Sequence, residues 1–310
     1  MLDLRKMRFQ IGLCLVVCCL GNGTFGQSVL TYSDSLNSRK LATVIGVETV
    51  GTVGTLLALN GLWYTQYPKV PFHTFNDNPD WLQVDKLGHA LTSYYIGYAG
   101  IEALKWSGVD DTKATWLGGG LGFIYLSGLE IMDGYSSGWG FSGGDMIANA
   151  AGTALVIGQG LIWNEQRIRL KYSAHHTEFA PHRPELLGSN GLERLLKDYN
   201  GQTYWLSVNI KAFLFKEKKF PAWLNLALGY GAEEMISGSV NPELYCMDDC
   251  WCNNLKRYRQ WYLSFDVDLS RIKIKSKLLK TVLGTFGFIK IPAPAIELSK
   301  NGINLKPFYF

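Results

Sequence analysis

Charge is scarce in this sequence: 18% of its 310 residues are Asp, Glu, Lys or Arg, and the two signs nearly cancel to a net +4. A chain with 13% aromatics and so little unbalanced charge can bury enough apolar surface to fold, which excludes a disordered protein. So small a net charge also excludes a basic nucleic-acid-binding surface, and no nucleic acid is expected as a partner. Cysteine is sparse as well. Of six, Cys14, Cys18 and Cys19 lie in the first twenty residues, leaving Cys246, Cys250 and Cys252 in an acidic loop beside Asp248 and Asp249. Their spacing lacks the paired pattern of a zinc site, so a local disulfide with one spare thiol is expected there. No phosphate loop, nucleophile elbow, zinc-protease motif or nucleotide fingerprint occurs, so no cofactor and no metal are expected from motifs.

What the chain has instead is apolar residues gathered into blocks. Arg5, Lys6 and Arg8 precede the apolar stretch Ile11 to Leu20, and Thr24-Phe25-Gly26 offers a small-residue cleavage site, so residues 1–26 read as a secretory signal peptide. Cys18 after Leu15-Val16-Val17 suggests a lipoprotein signal, although Val17 is larger than such sites want. Four apolar segments follow, Leu41 to Tyr64, Leu87 to Trp106, Trp116 to Met132 and Met146 to Trp163, each near the length of a bilayer-crossing helix. Trp63, Trp81, Trp106, Trp116, Trp139 and Trp163 fall near segment ends, where interfacial aromatics belong. Gly118 and Gly122, four apart, would let helices approach closely. Residues 27–171 are therefore expected to form a membrane-associated four-helix bundle.

From 172 to 197 the chain turns polar, with His175, His176, Pro181, His182, Pro184 and a Gly188-Ser189-Asn190-Gly191 turn, and reads as a linker. Beyond it, residues 198–310 change period. Over Gln202 to Phe215, Tyr204, Leu206, Val208, Ile210 and Ala212 alternate with Ser207, Asn209 and Lys211, and Trp261, Leu263, Phe265, Val267 and Leu269 alternate with Tyr262, Ser264, Asp266, Asp268 and Ser270. Strict alternation predicts strands with one wet and one apolar face. Leu224 to Tyr230 and Ile296 to Phe310 are weaker candidates, and four or so strands are too few for a closed transmembrane barrel. The fold class is thus α+β, a helical bundle followed by a small antiparallel region. Arg271, Lys273, Lys275, Lys277 and Lys280 form a basic run suited to anionic head groups or to a solvated strand edge.

Ionisable residues inside the apolar segments carry the chemistry. Asp85 and His89 are four apart on one helix face, Glu130 and Asp133 close the third segment, Asp145 and Asn149 open the fourth, and Glu48 adds a carboxylate to the first. Such groups are costly in apolar surroundings and face a bundle interior with partners, so one shared polar cluster is expected. Capping of helix N-termini would explain Asp85 and Asp145 alone, but not His89, Glu130 and Asn149.

Asp85-Lys86-Leu87-Gly88-His89, then Glu130 with Asp133, then Ser142-Gly143-Gly144-Asp145-Met146-Ile147-Ala148-Asn149-Ala150-Ala151-Gly152, resembles the YfiM-like family of predicted periplasmic lipoproteins, and the same order is similar to VanZ-like membrane proteins. The resemblance implies a compact helical bundle in the cell envelope that gathers Asp85, His89, Glu130, Asp145 and Asn149. It brings no established reaction, and the link of VanZ-like proteins to teicoplanin resistance points to envelope or lipid-linked partners. The sequence therefore predicts a non-enzymatic cell-envelope membrane protein with a periplasmic C-terminal region, the outer membrane preferred to the inner. Its cluster would lock the helices or bind membrane lipid, and its C-terminal region would meet an envelope protein partner. The competing reading is a membrane-bound hydrolase or transferase on a lipid-linked substrate, with His89 as acid/base, Asp85 orienting it, and Glu130 and Asp145 as further bases or metal ligands.

Overall fold

A computed structural model of the chain describes residues 32–62, 64–214, 220–241 and 255–310. The signal peptide, Cys18, and the Cys246, Cys250 and Cys252 loop lie outside the described residues. Five longer helices come first: α1 (Ser38–Leu62), α2 (Val84–Trp106), α3 (Asp111–Gly119), α4 (Leu121–Gly134) and α5 (Gly143–Trp163). Then follow β1 (Ile168–Ala174), the short helices α6 (Pro184–Leu187) and α7 (Gly191–Lys197), and β2 (Gln202–Asn209) running into α8 (Ile210–Phe213). The chain closes with β3 (Leu224–Glu233), β4 (Tyr258–Val267), α9 (Lys277–Thr285), β5 (Ala293–Ser299) and β6 (Gly302–Tyr309). The protein is thus a helical region followed by an antiparallel sheet whose six strands lie in sequence order.

The third apolar segment is two helices, not one. Three consecutive glycines, 118 to 120, weaken the helix enough to break it, and Asp110 caps α3 by accepting from the backbone N–H groups of Thr112 and Lys113. Among the described residues two helices are long and apolar enough to cross a membrane, Ser38–Gly61 with mean hydropathy 1.6 and Gly143–Trp163 with 1.4. They differ in packing. Only 6% of the first window is buried, whereas 33% of the second is, because α5 lies against α2. Helix α2 is the axis of the helical region, with α3, α4 and α5 around it, and it puts Val84, Tyr94, Tyr95 and Ile101 into a core shared with Val156 of α5 and Tyr204 of β2.

Residues 172–197, read as a linker, are structured. Tyr172 to Ala174 complete β1, and Phe179, Ala180 and Leu187 bury against Ile236. Polar composition misled because the hydrogen bonds are internal: Tyr172 donates to the Leu195 carbonyl, Thr177 to Asp198, and Asn190 caps α7.

The sheet inverts the expected wetting. Gln260, Tyr262, Ser264 and Asp266 point inward on β4, as do Trp205, Ser207 and Asn209 on β2, while Trp261, Leu263 and Phe265 are exposed. The exposed apolar residues stand opposite one another across the strands: Leu226 faces Phe265, Leu228 faces Leu263, Leu263 faces Ile296, and Ile296 faces Leu305. Alternation is the same whichever face is wet, so the period alone could not correct the expectation that the polar face meets water. The inner face is held by polar contacts. Lys171 of β1 pairs with Asp266 of β4 at 2.7 Å with both side chains fully buried, a reach past the two intervening strands that requires the sheet to curl. Ser207 donates to Asp266, Asn225 to Ser207, and Asn209 to Asn225.

Lys290 enters this interior, 4.8 Å from the Trp205 ring centre and donating to the Ser264 hydroxyl, and burial pushes its ammonium down to about 8. With the folded pKa below the unfolded one, the native state is penalised at low pH, and the penalty is relieved as pH rises from about 8 to the ordinary lysine value. Urea midpoints of the wild type should therefore gain on those of Lys290→Met between pH 7.5 and 9.5. Parallel curves would show that Lys290 keeps a solvent-like pKa.

Candidate functional site

Helices α2, α4 and α5 deliver the site because glycines let them touch. A Cβ on Gly122 of α4 would stand 2.1 Å from the Ser93 carbonyl oxygen of α2, and one on Gly152 of α5 equally close to that of Ala90. With the backbones in contact, Asp85, Lys86 and His89 on α2, Glu130 and Asp133 on α4, and Asp145 and Asn149 on α5 converge.

Neither aspartate acts as an N-cap. The α5 cap is Ser142, whose hydroxyl accepts from the Asp145 N–H at 3.0 Å, and Gln83 precedes α2 without a side-chain cap. Asp85 and Asp145 sit in first helical turns and turn their carboxylates to Lys86, which lies 3.0 Å from Asp85, 2.9 Å from Asp145 and 2.7 Å from Asp77 of the preceding loop. His89 is held on the far side: its Nδ1 is 3.1 Å from Asn149 Oδ1, and its Nε2 is 3.7 Å from Asp145 Oδ1. Glu130 is 2% exposed. Its Oε2 accepts from the Ser142 N–H at 3.1 Å, and its Oε1 stands 4.0 Å from His89 Nδ1 with no hydrogen-bond partner among the described residues. Asp133 accepts from the Tyr64 hydroxyl at 2.7 Å. The shared cluster is therefore assembled from three helices, and Glu48 does not join it. Lying on α1, Glu48 has no hydrogen bond or ion pair among the described residues.

Burial raises three of these carboxyls, because a charge removed from water loses its solvation. Asp85 is pushed up to about 6 against the pull of Lys86, Asp133 to about 7 against its bond from Tyr64, and Glu130 to about 8 against His89. For Lys86 burial works against the charge, but Asp85 and Asp145 outweigh it and hold the ammonium above its usual range. Asp77 is held low in spite of burial by Lys86 and the Ser142 hydroxyl.

Asp77, Asp85, His89, Glu130, Asp133 and Asp145 of the cluster line a pocket of about 550 Å³. Eight aromatic side chains line it too: Phe75, Trp81, Tyr95, Trp139, Tyr172, Tyr199, Tyr204 and Phe288. Trp81 reaches it through strained backbone. Trp81, Leu82 and Gln83 take φ of 46°, 50° and 71°, a left-handed run that costs bulky residues about 1–3 kcal/mol each and persists only where surroundings over-determine it. Here the Trp81 N–H donates to the Gly238 carbonyl, Tyr230 donates to the Leu82 carbonyl, and the Trp81 ring lies 4.9 Å from Tyr199.

Lys86, Asp77 and Tyr64 were not singled out from sequence as site residues, and Trp81 and Trp139 were expected at a membrane interface rather than around a pocket. Lys86 had a usable signal, lying between Asp85 and His89 in an otherwise apolar segment. Asp77 and Trp81 had none, since a loop's direction depends on what it packs against.

The helical region thus gathers buried carboxylates and a histidine beside a cavity and is joined to a sheet with an apolar outer face. Residues 74–158, which hold every cluster residue except Tyr64, match the family described as "Predicted periplasmic lipoprotein (DUF2279)", and this similarity supports a place in the cell envelope and an uncharacterised family. No curated protein and no solved structure matches the chain.

Proposed function

We propose that this chain is a membrane-associated envelope protein that takes up the polar end of an amphipathic, lipid-linked ligand in its pocket. The observation that carries the reading is that the carboxylate–histidine cluster and eight aromatic side chains line the same pocket, which suits a ligand with one polar and one apolar part. A cluster serving only to lock helices would have no need of a cavity beside it.

Membrane association rests on two apolar surfaces. Helix α1 leaves Ile45, Val47, Val50, Val53 and Leu57 exposed, and the outer sheet face leaves Leu228, Trp261, Phe265, Leu298, Ile303 and Leu305 exposed in cross-strand register. Contiguous apolar surface of this kind is rare on a protein bathed in water and normal on one that meets lipid. In this reading α1 inserts and the sheet docks with its apolar face on the bilayer.

The test has two arms. The purified full chain is expected to float with phosphatidylethanolamine–phosphatidylglycerol vesicles, and Leu263→Lys with Leu298→Lys to lose most of that flotation while keeping its circular dichroism. Native mass spectrometry from mild detergent should show a retained lipid that Trp139→Ala and His89→Ala release. A wild type that neither floats nor retains lipid would end the reading.

A second reading, hydrolysis or group transfer on the same ligand, is favoured by one detail. Asn149 Oδ1 can only accept, so His89 Nδ1 is the donor and Nε2 presents a free lone pair toward the pocket, the arrangement of a general base. Under it His89→Ala would abolish biological function at unchanged abundance, whereas a purely structural role would lower abundance in parallel.

A further inference from the structure

We infer that His89, Glu130 and Asp145 form a binding site for one divalent first-row transition ion of the zinc or manganese class. One ligand atom from each lies within 4.8 Å of the others. A second carboxylate group nearby, Asp77, Asp85 and Asp145, meets the same distance criterion, but its cation is already present: Lys86 bonds all three. Lys86 makes no ion pair with Glu130 among the described residues.

Three observations point to the ion. Glu130 is almost wholly buried, yet its Oε1 has no hydrogen-bond partner among the described residues and faces the cavity beside His89. That oxygen opens on the cavity rather than being sealed in protein, so an ion entering the pocket can reach it. The bond from His89 Nδ1 to Asn149 Oδ1 fixes the tautomer that leaves Nε2 as a ligand, the outer arrangement that metal-binding histidines ordinarily have. His89 Nε2 stands 3.7 Å from Asp145 Oδ1 while the Lys86 ammonium lies 2.9 Å from the same oxygen, so an ion there would share this carboxylate with the ammonium.

The donor set selects the ion class. One imidazole and two carboxylates suit zinc or manganese, whereas calcium and magnesium prefer oxygen throughout. Three protein ligands leave a position open toward the aromatic pocket, where the polar group of a bound ligand could complete the shell. This inference deepens the proposed pocket function and rests on it only for that last step.

The experiment is metal titration of the purified full chain. After EDTA dialysis, zinc chloride or manganese chloride is added, bound metal is read by inductively coupled plasma mass spectrometry, and cobalt substitution is followed by visible absorption. One ion per chain is expected, with magnesium and calcium failing to compete at equal concentration. Glu130→Gln and His89→Ala should each weaken binding about 100-fold, and Asn149→Ala about 10- to 100-fold, as loss of an outer-shell partner does. Asp111→Asn on the surface should bind as the wild type. Circular dichroism of each metal-free variant separates lost ligands from lost fold, and the cobalt spectrum of any folded variant reports the ligand set directly. No saturable zinc or manganese, or equal affinity in Glu130→Gln, would overturn the site. Lipid retained by metal-free protein would leave the pocket reading standing and remove only the metal's contact with the ligand.

Discussion

Lys86→Met is expected to cost the folded protein about 3–5 kcal/mol, because removing one partner of a buried ion pair leaves its counter-charges without compensation. The loss here concerns three carboxylates at once. Asp77, Asp85 and Asp145 all lie within 3.0 Å of the Lys86 ammonium, and the lysine itself is 9% exposed. Combining Lys86→Met with Asp85→Asn should recover part of the loss by removing one stranded charge, and failure of the double variant to improve on the single one would mean that packing, not charge, sets the cost. Urea denaturation at fixed pH measures both. A change below about 1 kcal/mol, the scale of an exposed pair, would show that water reaches the cluster freely.

Gly122→Val should be as damaging by a different route. The new Cβ would stand 2.1 Å from the Ser93 carbonyl oxygen and 2.8 Å from Ser93 Cα, both backbone positions that cannot swing aside. Helix α4 would have to move away from α2 by more than an ångström, costing about 3 kcal/mol or more through overpacking and lost contacts. That displacement would also carry Glu130 away from His89, so metal and lipid binding should fall even in the fraction that folds. Gly143→Ala makes a fair control, since a Cβ there meets nothing within 4 Å. If Gly122→Val melts like the wild type, the helices are not packed on their backbones.

Several features were legible without coordinates because they depend on neighbours in the chain. The i, i+4 pairs Asp85–His89 and Asp145–Asn149 lie on one helix face each by geometry alone, and the small residues at 118 and 122 announce a close helix contact. Alternation marked β2 and β4 but not their ends: it ran on past Asn209, where β2 stops and Ile210–Phe213 turn into α8, and it began β4 at Trp261 and carried it to Ser270, whereas the strand is Tyr258–Val267. The apolar length of α1 and α5 was equally plain.

Other features needed the tertiary structure. The break at Gly120 turned one apolar segment into two helices, and α5, apolar enough to cross a membrane, also packs on α2. The stretch 172–197 looked like a linker because its polar groups are satisfied by partners far along the chain, such as Leu195 for Tyr172. Asp77 joined the cluster through a loop whose course is decided by packing.

By itself, the sequence determined which helical residues share a face and which strands alternate, since both follow from the 3.6- and 2-residue periods of the backbone. Only the tertiary structure decided that Glu130, His89 and Asp145 meet across three helices while Glu48 stays apart, and that the polar side of the sheet is the buried one. Those outcomes depend on which surfaces pack together, and a period carries no information about what lies opposite it.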